Sequence, residues 1–531
     1  MAKEKTWDFI IAAELLVLLL FLAYSNSFQA PFIRDDNSSI PENPSIQHLW
    51  PPAKVLSPPH SGETVGGRPV LNLSLALNYA AGGTEPWGYH LVNLLIHAAA
   101  GLTLFGVVRR TLLQPRLRDR FEPDATLLAL AVAALWALHP LQTESVTYTI
   151  QRAESLMGLF YLLTLYFFIR YAEEEKFEIR NSKFEICSVA ACLLGMATKE
   201  VMASAPIVVM LYDRTFIAGT FRAAWKKRRT LYLALASTWI LLGWLVAGIG
   251  AAIAIHTISW RAYVTMQFYA LVEYLKLTLW PSPLIFDYSG YVIHNRFIIG
   301  TDVLLVALLL GFTIVALRRW PAVGFCAFCY FAVLAPTSSV VVASGQTLCD
   351  HRMYVPLAPV IAVAVLGIYR WLGRVSLPVF FALALVAGGL THCRNHDYRT
   401  ALALWTDMEN KLPGSASAHA NRGGYLLKGG RLAEAKAEAQ EALRIDANNT
   451  TALDNLGIIL FEQGRIDEAI ACFKKSLRSN PDHAWTYYFY GYVLQQSGRK
   501  SEAIGLYRQA LVIRPTFPDP LARLAELQAG K

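Results

Sequence analysis

Apolar residues run in long blocks through the chain as far as residue 391, and after about residue 415 they give way to an amphipathic repeat. The blocks lie near 7–24, 87–108, 125–139, 153–171, 184–198, 201–217, 230–255, 301–318, 321–336, 354–371 and 375–391. A membrane-crossing helix takes about 20 mainly apolar residues, fewer when its flanks snorkel, so the pattern predicts about 11 spans. A further stretch at 262–280 carries Gln267, Glu273 and Lys276 on a partly polar face, which predicts an interfacial or re-entrant helix. Lys3 and Lys5 precede the first block, but Asp8 and Glu14 interrupt it and no small-x-small site follows. The first block therefore reads as an uncleaved span. Basic residues crowd alternate connections: Arg109 to Arg120, Arg222 to Arg229, Arg318–Arg319, and Arg370 with Arg374. With the amino terminus cytoplasmic, all of these fall on the cytoplasmic side and the carboxyl terminus lies outside.

Beyond the blocks, Gly430-Arg431, Gly464-Arg465 and Gly498-Arg499 recur every 34 residues, as do Glu434-Ala435, Glu468-Ala469 and Glu502-Ala503. Gly423, Gly457 and Gly491 keep the same step and predict a close helix–helix contact in each unit. This pattern resembles the tetratricopeptide repeat, in which paired antiparallel helices stack into a solenoid with a concave groove. Units are expected at about 416–449, 450–483 and 484–517, with a half-unit before them and a cap at 518–531. Two domains follow: 1–395, with an extracytoplasmic loop at 25–86, and a repeat domain at 396–531.

Composition agrees. Of 531 residues, 54% are hydrophobic and 16% charged, with a mean hydropathy of +0.35. Soluble domains carry roughly 25% charged residues, so a single soluble globule is excluded. The net charge of +9 is explained by the loop clusters and does not imply a nucleic-acid partner. Seven cysteines show no paired spacing, and Cys326-x-x-Cys329 lies in an apolar run without further ligands.

Several ionisable residues sit where an apolar segment meets its outer end. Asp35-Asp36 follows the first block and suits a general base with an ionised neighbour, or a pair of ligands to a divalent cation. On the same expected face lie Arg68, His90, Glu144, Arg152, the pair Lys199-Glu200, and His351-Arg352. Such groups are costly at an apolar boundary unless paired, and mutual pairing of Glu144 with Arg152 or Lys199 with Glu200 is the structural alternative. Several cations on one face suit a phosphate, with arginine offering a fork and lysine a point charge.

The runs Gly67-Arg68-Pro69-Val70-Leu71-Asn72-Leu73-Ser74, Gly88-Tyr89-His90-Leu91-Val92-Asn93, His139-Pro140-Leu141-Gln142-Thr143-Glu144, Thr198-Lys199-Glu200 and His351-Arg352-Met353-Tyr354 carry a resemblance. Together with the repeat tail they resemble the transmembrane-and-tetratricopeptide proteins related to protein O-mannosyltransferases, in a short bacterial-type form. The resemblance implies an all-α fold: a polytopic membrane helix bundle of the C-type glycosyltransferase kind, followed by the solenoid. It also implies a polyprenyl-phosphate-linked sugar as donor and a Ser/Thr hydroxyl of an extracytoplasmic protein as acceptor. Asp35 or Asp36 would be the catalytic base. Lys199, Arg352, His351, Arg68 and Arg152 would face the donor phosphate, with His90, Glu144 and Glu200 as further site candidates. A divalent cation is allowed but not required. Partners would be the donor lipid, the acceptor protein on the repeats, and the bilayer. A bacterial inner membrane with periplasmic repeats is the expected location, the endoplasmic-reticulum membrane its alternative. A membrane-anchored scaffold for envelope or pilus assembly, without catalysis, is the competing function.

Overall fold

A computed structural model describes residues 2–58, 64–175, 182–249, 259–289, 291, 293, 295–338 and 347–529. Among them the chain is helical throughout, without a β-strand. The helices are α1 (Ala2–Ala23), α2 (Asp35–Ser39), α3 (Pro52–Leu56), α4 (Pro69–Gly82), α5 (Pro86–Leu112), α6 (Pro115–Phe121), α7 (Ala125–Ala137), α8 (Thr143–Thr147) and α9 (Arg152–Glu175). There follow α10 (Ser182–Met196), α11 (Ala205–Tyr212), α12 (Phe221–Ile249), α13 (Trp260–Leu279), α14 (Arg296–Arg319), α15 (Pro321–Leu334), α16 (Leu357–Leu372) and α17 (Ser376–Asn395). The repeat region holds α18 (Ala401–Lys411), the pairs α19 (Ala416–Lys428) with α20 (Leu432–Ile445), α21 (Thr450–Glu462) with α22 (Ile466–Ser479), and α23 (Ala484–Gln496) with α24 (Lys500–Ile513), then α25 (Pro518–Ala529).

The chain divides into two compact units. The first comprises Met1–Asp36, Ser45–Leu284 and Val292–Tyr398; the second comprises Asn37–Pro44, Ile285–Tyr291 and Arg399–Lys531. The repeat unit thus begins at Arg399 and takes in two short segments that the sequence assigned to the first domain. Arg514 pairs with Glu42 at 2.6 Å and Phe286 packs edge-on against Trp405, which ties those segments into it.

In the first unit, five helical segments among the described residues are long and apolar enough to cross a membrane: Pro86–Leu112, Thr149–Glu174, Phe221–Ala247, Arg296–Arg319 and Leu357–Arg399. A bent pair, Pro115–Ala137 with Pro140–Thr147, makes up to 6. The expected count of about 11 is not reached on these criteria, and the reasons are local. The block at 184–198 forms a 15-residue helix and that at 321–336 a 14-residue helix. That at 201–217 splits into a 3-10 turn, an 8-residue helix and a π turn. These are shorter than the roughly 20 residues of a straight crossing. The two last blocks become α16 and α17, separated by a 3-10 turn that starts at Gly373, φ 63°. The end of the 230–255 block lies outside the described residues.

Within the repeat unit, the Gly-Arg periodicity has a backbone cause. Gly430, Gly464 and Gly498 have φ of 73°, 76° and 80°, the left-handed conformation that a helix stop requires. Each closes a Schellman motif: Gly430 N–H bonds to the Leu427 carbonyl and Arg431 N–H to that of Leu426, and the 464 and 498 stops repeat both bonds. The arginine that follows then pairs with the glutamate three residues on, as in Arg431–Glu434. Packing explains the other glycines. A Cβ on Gly457 would stand 2.7 Å from the Phe473 ring, and one on Gly491 would stand 2.7 Å from the Tyr507 ring. Gly491→Ala should therefore force Tyr507 to shift and cost about 1–3 kcal/mol. Gly505 has open space around its Cβ position, so Gly505→Ala should stabilise α24 by up to about 1 kcal/mol. Amide hydrogen exchange across α23 and α24 reads both changes, and equal effects of the two substitutions would refute the packing argument.

Candidate functional site

The polar residues of the first unit converge on one segment, 139–154, which is buried along its whole length although it is broken into short turns. Pro140 ends α7's direction, and the 3-10 turn, α8 and a second 3-10 turn follow before α9 starts at Arg152. A buried irregular backbone survives only when its polar groups find partners. Here the partners come from distant loops.

Glu144 takes His351: Nδ1 of His351 donates to Glu144 Oε1 at 2.8 Å. With that proton on Nδ1, the lone pair of Nε2 faces the Glu154 carboxylate at 4.0 Å. Burial and the Lys199 charge hold the His351 imidazole neutral, lowering it from 6.5 to about 3. Glu154 in turn binds Lys199, Nζ to Oε1 at 2.7 Å, with side chains only 8% and 2% exposed. One step along the chain, Glu200 takes Arg68 at 3.2 Å. Burial alone would raise the Glu200 carboxyl, but Arg68 and Lys199 outweigh it and hold it down at about 2. The loop bearing Arg68 is pinned beside this pair, because Val70 N–H bonds to the Ala197 carbonyl. Arg352 donates to Ser338 Oγ at 3.3 Å and to the Thr347 carbonyl at 3.4 Å. Lys199, His351 and Glu144 therefore gather around Glu154, the Arg68–Glu200 pair sits next to them through the Lys199-Glu200 backbone and the Lys199 charge, and the Arg352 charge lies near enough to act on His351. The neighbours Lys199 and Glu200 turn to different partners, Glu154 and Arg68.

A second group gathers two residues earlier on α9. Arg152 is fully buried and donates to Asn93 Oδ1 at 2.6 Å and to the carbonyls of Ser74 and Tyr89 at 3.1 and 3.0 Å. It makes no ion pair among the described residues, so the pairing with Glu144 does not form. His90 is buried beside it and contacts the Ala30 carbonyl through Nε2 at 2.9 Å. Residues two apart on a helix face different ways, which separates Arg152 from the Glu154 network. Arg152 and His90 brace α4, α5 and the loop after α1.

The acidic pair is resolved into two unlike groups. Asp36 is 1% exposed; its Oδ2 accepts from Ile33 N–H at 3.0 Å and its Oδ1 from Ile150 N–H at 2.7 Å. Burial pushes its carboxyl up to about 8, against the pull of backbone N–H groups at Ile33, Ile150 and Thr149. Both oxygens face amide hydrogens, the wrong polarity for a shared divalent cation. Asp35, by contrast, has its side chain 47% exposed, and its backbone N–H donates to the Tyr148 hydroxyl at 3.0 Å. Arg34 just before it has φ 49°, the one non-glycine with positive φ among the described residues. Strain of this kind costs about 1–3 kcal/mol and persists where the surroundings impose a loop shape.

Glu154, with Arg152, belongs to the ionisable groups at the outer helix ends that the sequence marks, but its place at the centre is not legible there, since its partners are 45 and 197 positions away. Tyr148 carried no signal; its role depends on the loop that reaches it.

Breaking one half of the buried pair leaves a charge without its partner, so Glu154→Leu should cost about 3–5 kcal/mol. Glu154→Leu with Lys199→Met should cost less than Glu154→Leu alone, as read by thermal unfolding in detergent; additive losses would show the two groups to be uncoupled. His351 contributes a pH dependence of definite sign. The unfolded chain takes up a proton near 6.5 that the folded chain refuses until about 3, so stability is full above 6.5 and falls as pH drops through that window. His351→Asn should flatten this part of the acid limb in unfolding scans made from pH 7 downward.

Comparisons with known proteins add a separate line. The tetratricopeptide repeat family matches residues 386–450 and 449–516. A protein O-mannosyl-transferase of Caenorhabditis elegans is 24% identical over 457 residues, 81% of this chain and 62% of that protein. One from Homo sapiens is 29% identical over 307 residues, 52% of this chain and 35% of its own length. One from Drosophila melanogaster is 37% identical over 152 residues, 27% of this chain and 16% of its own. The chain thus spans less than two thirds of each of these relatives, and it is similar to protein O-mannosyl-transferases over most of its own length.

Proposed function

We propose that this chain is an integral-membrane glycosyltransferase that moves a sugar from a polyprenyl-phosphate donor to a Ser or Thr hydroxyl of a protein. The observation that carries the reading is the anchoring of two loops on neighbouring points of one short helix. Glu144 holds His351, and Tyr148, whose N–H bonds to the Glu144 carbonyl at 3.1 Å, holds the backbone of Asp35. An accessible carboxylate and a cation-rich buried network are thereby fixed to the same turn of backbone. The relatives' names support transfer of a sugar to protein, and the apolar helices support a membrane setting.

In this reading Asp35 is the base. Its carboxylate takes the proton of the acceptor hydroxyl as that oxygen attacks the anomeric carbon. The bond from that carbon to the phosphate oxygen breaks with its electron pair, and the polyprenyl phosphate departs with inversion at the sugar. Lys199 has three N–H donors, of which Glu154 takes one, so the ammonium can still meet a phosphate oxygen. Lys199, Arg352 and Arg68 stabilise the charge growing on the leaving group. Neutral His351, its one N–H given to Glu144, has no donor left for the phosphate and positions Glu144 instead. Asp36 positions Asp35 by clamping the loop to Ile150. No step calls for a metal.

The repeats bind the acceptor segment and raise its local concentration. The bundle lies in a bacterial inner membrane with its amino terminus cytoplasmic and the repeats periplasmic. An endoplasmic-reticulum membrane with luminal repeats is the second location, and it suits the animal relatives.

Intact mass spectra of co-expressed extracytoplasmic proteins test the assignment. Asp35→Asn should keep its fold and lose sugar addition by about 10²–10⁴ in rate. Asp36→Asn should unfold more easily by about 1–3 kcal/mol, because one amide donor is left facing an NH₂ group. Undiminished sugar transfer by Asp35→Asn would remove it as the base. Identical masses with and without the wild-type chain, while the repeats still retain a protein partner, would favour the scaffold.

A further inference from the structure

An apolar cavity of about 330 Å³ runs between α5, α9, α11, α15 and α16, away from the polar network. Along α16 it follows one face, from Val355 and Ala358 through Ala362 and Leu366 to Arg370. The rise of α16 from Ala358 to Arg370 is about 18 Å, so the two ends of the cavity lie about that far apart. The upper end adjoins the residues that follow Arg352, and the lower end is lined by Arg120 and Arg370. Both arginines are exposed, and a second, shallower hollow shared with Tyr369 and Trp371 continues outward from them.

Four arginines near that mouth are committed. Arg110 pairs with Glu173, Arg118 with Glu122 and Arg374 with Asp124, while Arg116 donates to the Thr215 carbonyl. Arg120 and Arg370 have no hydrogen-bond or ion-pair partner among the described residues. Two unpaired cations at the mouth of an apolar cavity match an amphiphile with an anionic head and a hydrocarbon tail. Trp371, 90% exposed beside them, is the kind of side chain that settles at headgroup level.

We infer that this cavity is a binding site for an anionic phospholipid, its phosphate on Arg120 and Arg370 and one acyl chain along α16. The inference rests on the membrane reading above but not on the chemistry. The donor's phosphate is read above onto Lys199 and Arg68, so a phosphate held by Arg120 and Arg370 belongs to a different ligand. The site is therefore one for a resident lipid of the other leaflet.

Gly367 offers an independent probe, since it lines the cavity and a Cβ there meets nothing within 4 Å. The full chain, purified in mild detergent, would be titrated with phosphatidylglycerol or phosphatidylcholine and weighed by native mass spectrometry. Wild type should hold one phosphatidylglycerol with at least roughly tenfold preference, and Arg120→Ala/Arg370→Ala should lose that preference. Gly367→Trp should lose the lipid altogether while its thermal unfolding stays that of wild type. Equal retention of both lipids by wild type, or unchanged binding in both variants, would overturn the site. A polyprenyl phosphate in place of phospholipid would overturn it too, by making the cavity the donor's own. Sugar transfer plays no part in this readout, so failure here leaves the proposed reaction standing, and failure there leaves the lipid site standing.

Discussion

Burial of charge without water is the constraint on which the first unit depends. A lysine, two glutamates, a histidine and an arginine lie within or beside an apolar bundle, and each would be intolerable alone. They are tolerated because the 139–154 segment gives up regular helix to present two carboxylates and a backbone N–H to three separate loops. Glu144 reaches the loop before α16, Glu154 reaches the turn after α10, and Ile150 reaches the loop after α1. The network is therefore also the fastener of that end of the bundle. Whatever chemistry happens there is supported by the same bonds that hold the loops in place.

This arrangement explains why residues that look equivalent in the sequence differ in role. Arg152 and Lys199 are both cations at helix starts. Arg152 is surrounded by three neutral acceptors and braces α4 against α5, whereas Lys199 keeps donors to spare beside a carboxylate. Asp35 and Asp36 are adjacent, yet one is half exposed beside Arg34 and the other is sealed under amide hydrogens. In each case the environment assigns the role, since the side chains themselves are alike.

The repeat unit obeys a different rule. Its contacts are local and recur every 34 residues, so helix stops, small residues and aromatic fillers have to reappear in step. Gly464 stops a helix because its φ is positive, and Gly457 is small because Phe473 lies against it. Both facts leave their mark on the amino-acid sequence as a regular spacing. The segments Asn37–Pro44 and Ile285–Tyr291 show the limit of that legibility. They join the unit through contacts such as Arg514 with Glu42, across sequence separations that no periodicity records.

By itself, then, the sequence determined what depends on local or periodic patterning: an all-helical chain, apolar blocks, three repeat pairs with their stops, and a set of polar residues misplaced for an apolar setting. Those features follow from side-chain hydropathy and backbone preference, which act over a few residues. Tertiary structure decided the partners. It broke the 201–217 block into short turns, gave Lys199 to Glu154 and Glu200 to Arg68, and divided the acidic pair into an accessible member and a clamped one. Such pairings are made by electrostatic and hydrogen-bond satisfaction across 45 to 132 residues, and only a folded chain brings those groups within reach.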